Sequence, residues 1–169
     1  ESLRTVFTND NDQLCQSILT SEQWCLQQLN FASDKACEKA IIKQIKQPFD
    51  LTQDYLFRVV LLTVDDINDH CSLLIMMHHI IADGWSVVNL MTEVSVLYNA
   101  YLQQKDNPLA ELDIQYADYA HWQRQWLEGE EYQQQVNYWQ HQLDDVPVLS
   151  LPLDHARGSL QTFAGASVP

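Results

Sequence analysis

The chain has 169 residues, 46% of them apolar, and a formal charge of −14; that is enough apolar material for a sizeable core in one domain. Nucleic acid and anionic membrane surfaces are disfavoured as partners, because both need clustered Lys and Arg against phosphate, and the scattered acidic residues read as a solubilising surface. No apolar run approaches the roughly 20 residues of a spanning helix, no leader pattern is present, and the four cysteines (Cys15, Cys25, Cys37, Cys71) form no CxxC pair, so they are expected to be reduced, half-buried thiols of a cytoplasmic protein.

In chain order, residues 3–7 predict a short strand and the polar run 8–12 (TNDND) a turn. Residues 13–19 and 24–29 predict two more strands, the second alternating through Trp24, Leu26 and Gln28. Ser33 stands where an N-cap belongs, before a helix in which Cys37, Ile41 and Ile45 share a face, and Pro48 closes that segment. Residues 56–64 (LFRVVLLTV) and 70–77 predict an antiparallel hairpin across a polar turn at 65–69. After Gly84 the period becomes helical, with Val87, Leu90, Met91, Val94, Leu97, Tyr98 and Tyr101 in one stripe and Asp83 or Ser86 as the cap. Asp106, Asn107 and Pro108 mark a loop; helices follow over 115–127 and 131–143, then an extended linker over 145–152. The order implies an α/β protein, an α/β or α+β sandwich.

The chemistry concentrates in MMHHIIADGWS, residues 76–86. Imidazoles and a carboxylate suit zinc, but adjacent strand residues point to opposite faces and the helical HExxH pattern is missing, so no metal site is expected. The same alternation assigns His78 and His79 different environments, with His79, nearer the turn, better placed to enter a cleft. An imidazole, whose ordinary pKa is about 6.5, accepts a proton near neutral pH. Asp83 is placed either to orient that imidazole or to pair with an arginine, Arg4 or Arg58. Ser86 has no GxSxG setting and no cysteine adjoins a motif, which favours direct transfer over a covalent enzyme intermediate. The remaining reading is a satisfied polar corner of the core.

The block MHHIIADGWS resembles the HHxxxDG core of condensation domains of non-ribosomal peptide synthetases, within the chloramphenicol-acetyltransferase-like acyltransferases. Residues 1–7 (ESLRTVF) resemble the ExLRTxF end of that family's second motif, and Tyr116-Ala117-Asp118-Tyr119-Ala120-His121-Trp122 resembles its YxDYAxW motif, with His121 where valine is common. PFDL at 48–51 and SLPLDHARG near 150 are similar to family connecting segments. The resemblance implies a two-lobed, V-shaped enzyme in which donor and acceptor thioesters, each on the phosphopantetheine arm of a peptidyl carrier protein, meet in a tunnel and form an amide. No cofactor bound by the domain itself is implied; an adenylation domain is implied as a neighbour.

By position, the resemblance makes His79 the active-site histidine and gives Gly84 a backbone role: a tight turn whose N–H faces a developing oxyanion. His78 and Asp83 correspond to structural positions, Asp83 through an arginine salt bridge, while Arg4, Tyr116, Asp118 and Trp122 support the site. The first motif and the Arg-His pair preceding Glu1 are absent. The chain is therefore expected to be mostly the N-terminal lobe, truncated at both ends, with residues 1–128 in that lobe and 129–169 leading toward a second lobe, and to be inactive alone. Trp122 and Trp126, with Tyr119, predict a core-facing aromatic stripe; Trp85 lines the channel or covers its helix start; His70, His121, His141 and His155 read as surface or capping residues. The rival readings are an epimerisation domain, an ester-forming acyltransferase, and a non-catalytic carrier-docking module. The run Asp83-Gly84-Trp85-Ser86 is closer to the condensation form than to the Gly-Val-Ser-Trp of epimerisation domains.

Overall fold

A computed structural model describes residues 1–11, 13–65, 71–156 and 158–160. It divides into two units, Glu1–Arg124 and Gln125–Pro169. Within the first unit, β1 (Thr5–Asp10) and β2 (Gln13–Ile18) form an antiparallel ribbon. A second sheet has the order β3 (Gln27–Phe31), β4 (Phe57–Val64), β5 (Cys71–Met77). The β3–β4 pair is parallel and the β4–β5 pair antiparallel. Helices α1 (Asp34–Lys46) and α2 (Gly84–Leu102) follow β3 and β5 respectively, and α3 (Tyr116–Leu127) begins in the first unit. The second unit holds α4 (Glu130–Gln142).

The central strand β4 is where the core forms, because its β-branched and leucine residues fill both faces of a sheet flanked on each edge. Val60 and Leu62 are buried with Cys37 of α1, and Leu29, Phe31, Ile41, Val64, Leu74 and Met76 pack against them. Leu56, just before β4, and Val59 are buried as well. Ser33 caps α1 as its sequence position indicates, accepting the Ala36 N–H at 3.4 Å. The 58-to-76 region also matches expectation: β4 and β5 pair with Phe57 opposite Met77 and Thr63 opposite Cys71. The expected turn at 66–69, and His70, lie outside the described residues.

Several expectations change. The polar run after Phe7 is strand through Asp10 rather than turn: Thr8, Asn9 and Asp10 pair with Cys15, Leu14 and Gln13, and the expected reversal comes at Asn11, whose φ is 50°. Exposed ribbons tolerate polar residues on both faces, so composition misreads them. The strand expected from Trp24 starts at Gln27, because Trp24 leaves the strand to donate its indole N–H to Phe57 O (3.1 Å) and stack on the Phe57 ring. Ile45 is exposed although it shares a helical face with Cys37 and Ile41. Along α2, Leu90, Val94 and Leu97 are half-buried while Val87, Met91, Tyr98 and Tyr101 are exposed. The buried strip is thus narrower than the apolar stripe. Of the cysteines, Cys37 is buried and Cys15, Cys25 and Cys71 are exposed; none is half-buried. No helix among the described residues is long and apolar enough to cross a membrane.

Candidate functional site

The strand that carries the histidine motif ends at Met77. His78 and His79 therefore stand just past it, in a turn closed by Ile81 N–H donating to His78 O at 3.1 Å. Strand alternation does not separate the two rings; the turn does. The His78 N–H donates to Leu56 O at 2.9 Å, and its Nδ1 accepts the Ile80 N–H at 3.1 Å. The His78 ring also meets Phe49 edge to face, with centroids 6.1 Å apart at 88°. His79 is exposed, and its side chain has no hydrogen-bond partner among the described residues.

His79 lines an open cleft of about 500 Å³. The other walls come from Thr5 and Phe7 of β1, Met77 at the end of β5, Asp83 and Ser86 at the start of α2, and Tyr116 at the head of α3. Distant parts of the first unit thus meet around one cleft that His79 lines. Tyr116 stacks on Tyr119 (5.9 Å), and Tyr119 on Trp122 (5.7 Å). These three aromatics form a ladder along α3 that is about half exposed; Trp122 is 55% and Trp126 42% exposed, so the core role expected of the stripe is corrected. Asp118 accepts the Gln115 N–H at 2.9 Å and caps the same helix.

Asp83 is the N-cap of α2. Its Oδ1 accepts the Ser86 N–H (2.9 Å) and the Ser86 hydroxyl (2.8 Å), while the Asp83 N–H donates to Ser86 Oγ (3.3 Å). Both proposed caps are therefore used, in one reciprocal box. Neither expected arginine reaches Asp83. Arg4 donates from Nη1 to Leu19 O. Arg58 pairs with Asp54 at 3.2 Å and donates to Gln47 O and Pro48 O. The reason is reach and competition: each guanidinium finds carbonyls close in its own sheet or loop. Asp83 is instead satisfied by Ser86, and its carboxylate makes no hydrogen bond to His79, so the triad geometry is not formed.

The Ser86 N–H, and then its hydroxyl, hold the Asp83 carboxyl below the ordinary aspartate range. A lowered folded-state value means that the cap's stabilisation is complete above the unfolded pKa of about 3.9 and is lost as pH falls through the lower folded value. In a complete domain, Asp83→Asn is expected to melt close to wild type at pH 7, since Asn caps as well as Asp, and to lose the acid-side dependence. Asp83→Ala is expected to melt several degrees lower. Thermal melts between pH 7 and pH 3 check this; equal losses for both variants at pH 7 would mean that a charge partner, not the cap, is the role of Asp83.

Gly84 is the first residue of α2, exposed, and its φ is not positive. The tight-turn explanation for this glycine is corrected accordingly. A Cβ there would meet no protein atom within 4 Å. Trp85 is 81% exposed and does not line the cleft. No group of three or more His, Cys, Asp or Glu among the described residues is arranged to hold a metal ion. Phe49 and Arg58 belong to this neighbourhood through His78; from sequence, Arg58 is a candidate only as a partner of Asp83, and Phe49 falls only within the PFDL segment.

This arrangement, a histidine turn at a strand end opening on a cleft within a mixed α/β fold, is the one expected of the chloramphenicol-acetyltransferase-like class. A sequence model of the condensation domain matches residues 1–168, and the chain belongs to that family. It is 40% identical over 173 residues to malpinin synthetase of Mortierella alpina, and 38% over 169 residues to gramicidin S synthase 2 of Brevibacillus brevis. Each of those matches covers 99% of this chain but only 2% and 4% of the respective synthetases. Among solved structures, the X-domain from teicoplanin biosynthesis superposes with a TM-score of 0.78 at 28% identity, covering 95% of this chain and 36% of that one. The epimerization domain from the third module of tyrocidine synthetase B superposes at 0.77 with 22% identity, covering 92% and 36%, a likeness of fold.

Proposed function

We propose that the chain contributes the histidine side of an amide-forming centre in a non-ribosomal peptide synthetase. The observation that carries this reading is the placement of His79, exposed in a cleft, beside a helix start that leaves backbone N–H groups without helical partners. In the proposed reaction the amine of an acceptor aminoacyl thioester attacks the carbonyl carbon of a donor thioester. The C–N bond forms, the C–S bond breaks, and the donor arm leaves as a thiol. His79 takes the amine proton, or orients the amine, and the proton ends on the departing sulfur. The Gly84 N–H, at the positive end of α2, would face the developing oxyanion. No nucleophile of the protein is needed.

The substrates would arrive on phosphopantetheine arms of an upstream and a downstream carrier protein, with an adenylation domain in the same assembly line. Residues 1–128 would belong to the lobe that presents His79, and 129–169 would lead toward a second lobe. Tyr116, Asp118 and Trp122 would hold the cleft wall through their helix, and Arg4 would tie β1 to the segment after β2. The test is the product formed by a complete domain given both loaded carriers. Mass spectrometry should find the donor transferred to the acceptor arm, one amide longer. An inverted stereocentre on the unshortened donor, with no amide, would instead establish epimerisation.

A further inference from the structure

We propose that Arg58 and Phe49 are positioning residues for His79, acting on it through His78. The inference deepens the reading of His79 as the group at the reacting centre and rests on it. His79 is the second residue of the turn that His78 O closes with the Ile81 N–H. The peptide on its far side is pinned too, because the Ile80 N–H donates to His78 Nδ1 at 3.1 Å. Rotation of the His78 ring would release that peptide and swing the backbone carrying His79. What holds the ring is therefore what aims the neighbouring imidazole.

The ring is held by Phe49. One contact of Phe49 is the edge-to-face packing with His78, and the other is the Arg58 guanidinium, whose Cζ sits 3.9 Å from the Phe49 centroid. Arg58 is itself fixed at both nitrogens: Nη1 to Gln47 O at 3.1 Å, Nη2 to Pro48 O at 2.6 Å and to Asp54 Oδ2 at 3.2 Å. The two carbonyls immediately precede Phe49, so one planar fork both immobilises the backbone leading to the ring and covers the ring. The result is a continuous stack of guanidinium, phenyl and imidazole ending on the turn of His79. A nitrogen that accepts the Ile80 N–H carries no proton, so neutral His78 carries its proton on Nε2.

The experiment uses a complete condensation domain with both carriers loaded. Phe49→Leu and Arg58→Met should lower single-turnover amide formation on the order of tenfold to a hundredfold, the scale of a small misplacement of a reacting group, with carrier affinity unchanged. Phe49→Tyr, which keeps the ring, should retain the wild-type rate. Histidine ¹⁵N spectra should show the Nε2–H tautomer for His78 in wild type and a tautomer mixture in Phe49→Leu. Wild-type rates in Phe49→Leu and Arg58→Met, alongside an impaired His79→Ala, would overturn the positioning role while leaving the site reading intact. Wild-type activity in His79→Ala would overturn both. Should the variants fail to fold, the wild-type spectrum decides: Nε2–H supports the stack, and a proton on Nδ1 refutes it.

Discussion

Leu56→Ala should destabilise the complete domain by about 2–5 kcal/mol, the range for truncating a fully enclosed leucine. Leu56 is 0% exposed and immediately precedes the central strand. Truncating a side chain with no solvent exposure leaves a cavity in addition to the lost transfer free energy. Most domains are stable by only about 5–15 kcal/mol, so this is a large share. The substitution also bears on the site, since Leu56 O receives the His78 N–H at 2.9 Å. Denaturant unfolding checks it: the midpoint should fall with an unchanged slope. Leu14→Ala, at a side chain 75% exposed, should move stability by no more than about 0.5 kcal/mol. Equal shifts in the two variants would contradict the packing described for Leu56.

What the residues reveal before folding depends on the range of the interaction that places them. The hairpin of β4 and β5 is legible because a β-branched run buried on both faces has few alternatives, and Ser33 is legible because capping is a contact across three residues. The Asp83–Ser86 box is equally local; the uncertainty lay only in which of them capped, and both do. Long-range partners are a different matter. The bond from Trp24 to Phe57 O spans 33 residues and moved the start of β3. The carbonyls that capture Arg4 and Arg58 are backbone groups, which every residue carries, so no side-chain pattern announces them. The α2 stripe was overestimated for a related reason. Periodicity shows which residues share a face but not how much of that face another element covers. The candidate site is marked in the sequence by the HHxxxDG block and its flanking motifs, whereas the Phe49–Arg58 stack behind it emerges only from the folded geometry.

His79→Ala should lower the rate of amide formation by about 10²–10⁴-fold, the usual contribution of a positioned acid–base group. It should do so without unfolding the domain. The His79 side chain is exposed and makes no hydrogen bond among the described residues, so its removal takes little from the fold. His78→Ala is the opposite case: it breaks the bond to the Ile80 N–H and the contact with Phe49, and should lower the melting temperature as well as the rate. The contrast separates a group that reacts from one that supports it. The most direct measurement is a single-turnover assay of the complete domain, with donor and acceptor carriers loaded and the tethered product followed by mass spectrometry. A loss of at least about a hundredfold in folded His79→Ala protein is the predicted result; transfer at the wild-type rate would contradict the assignment of the reacting centre to His79.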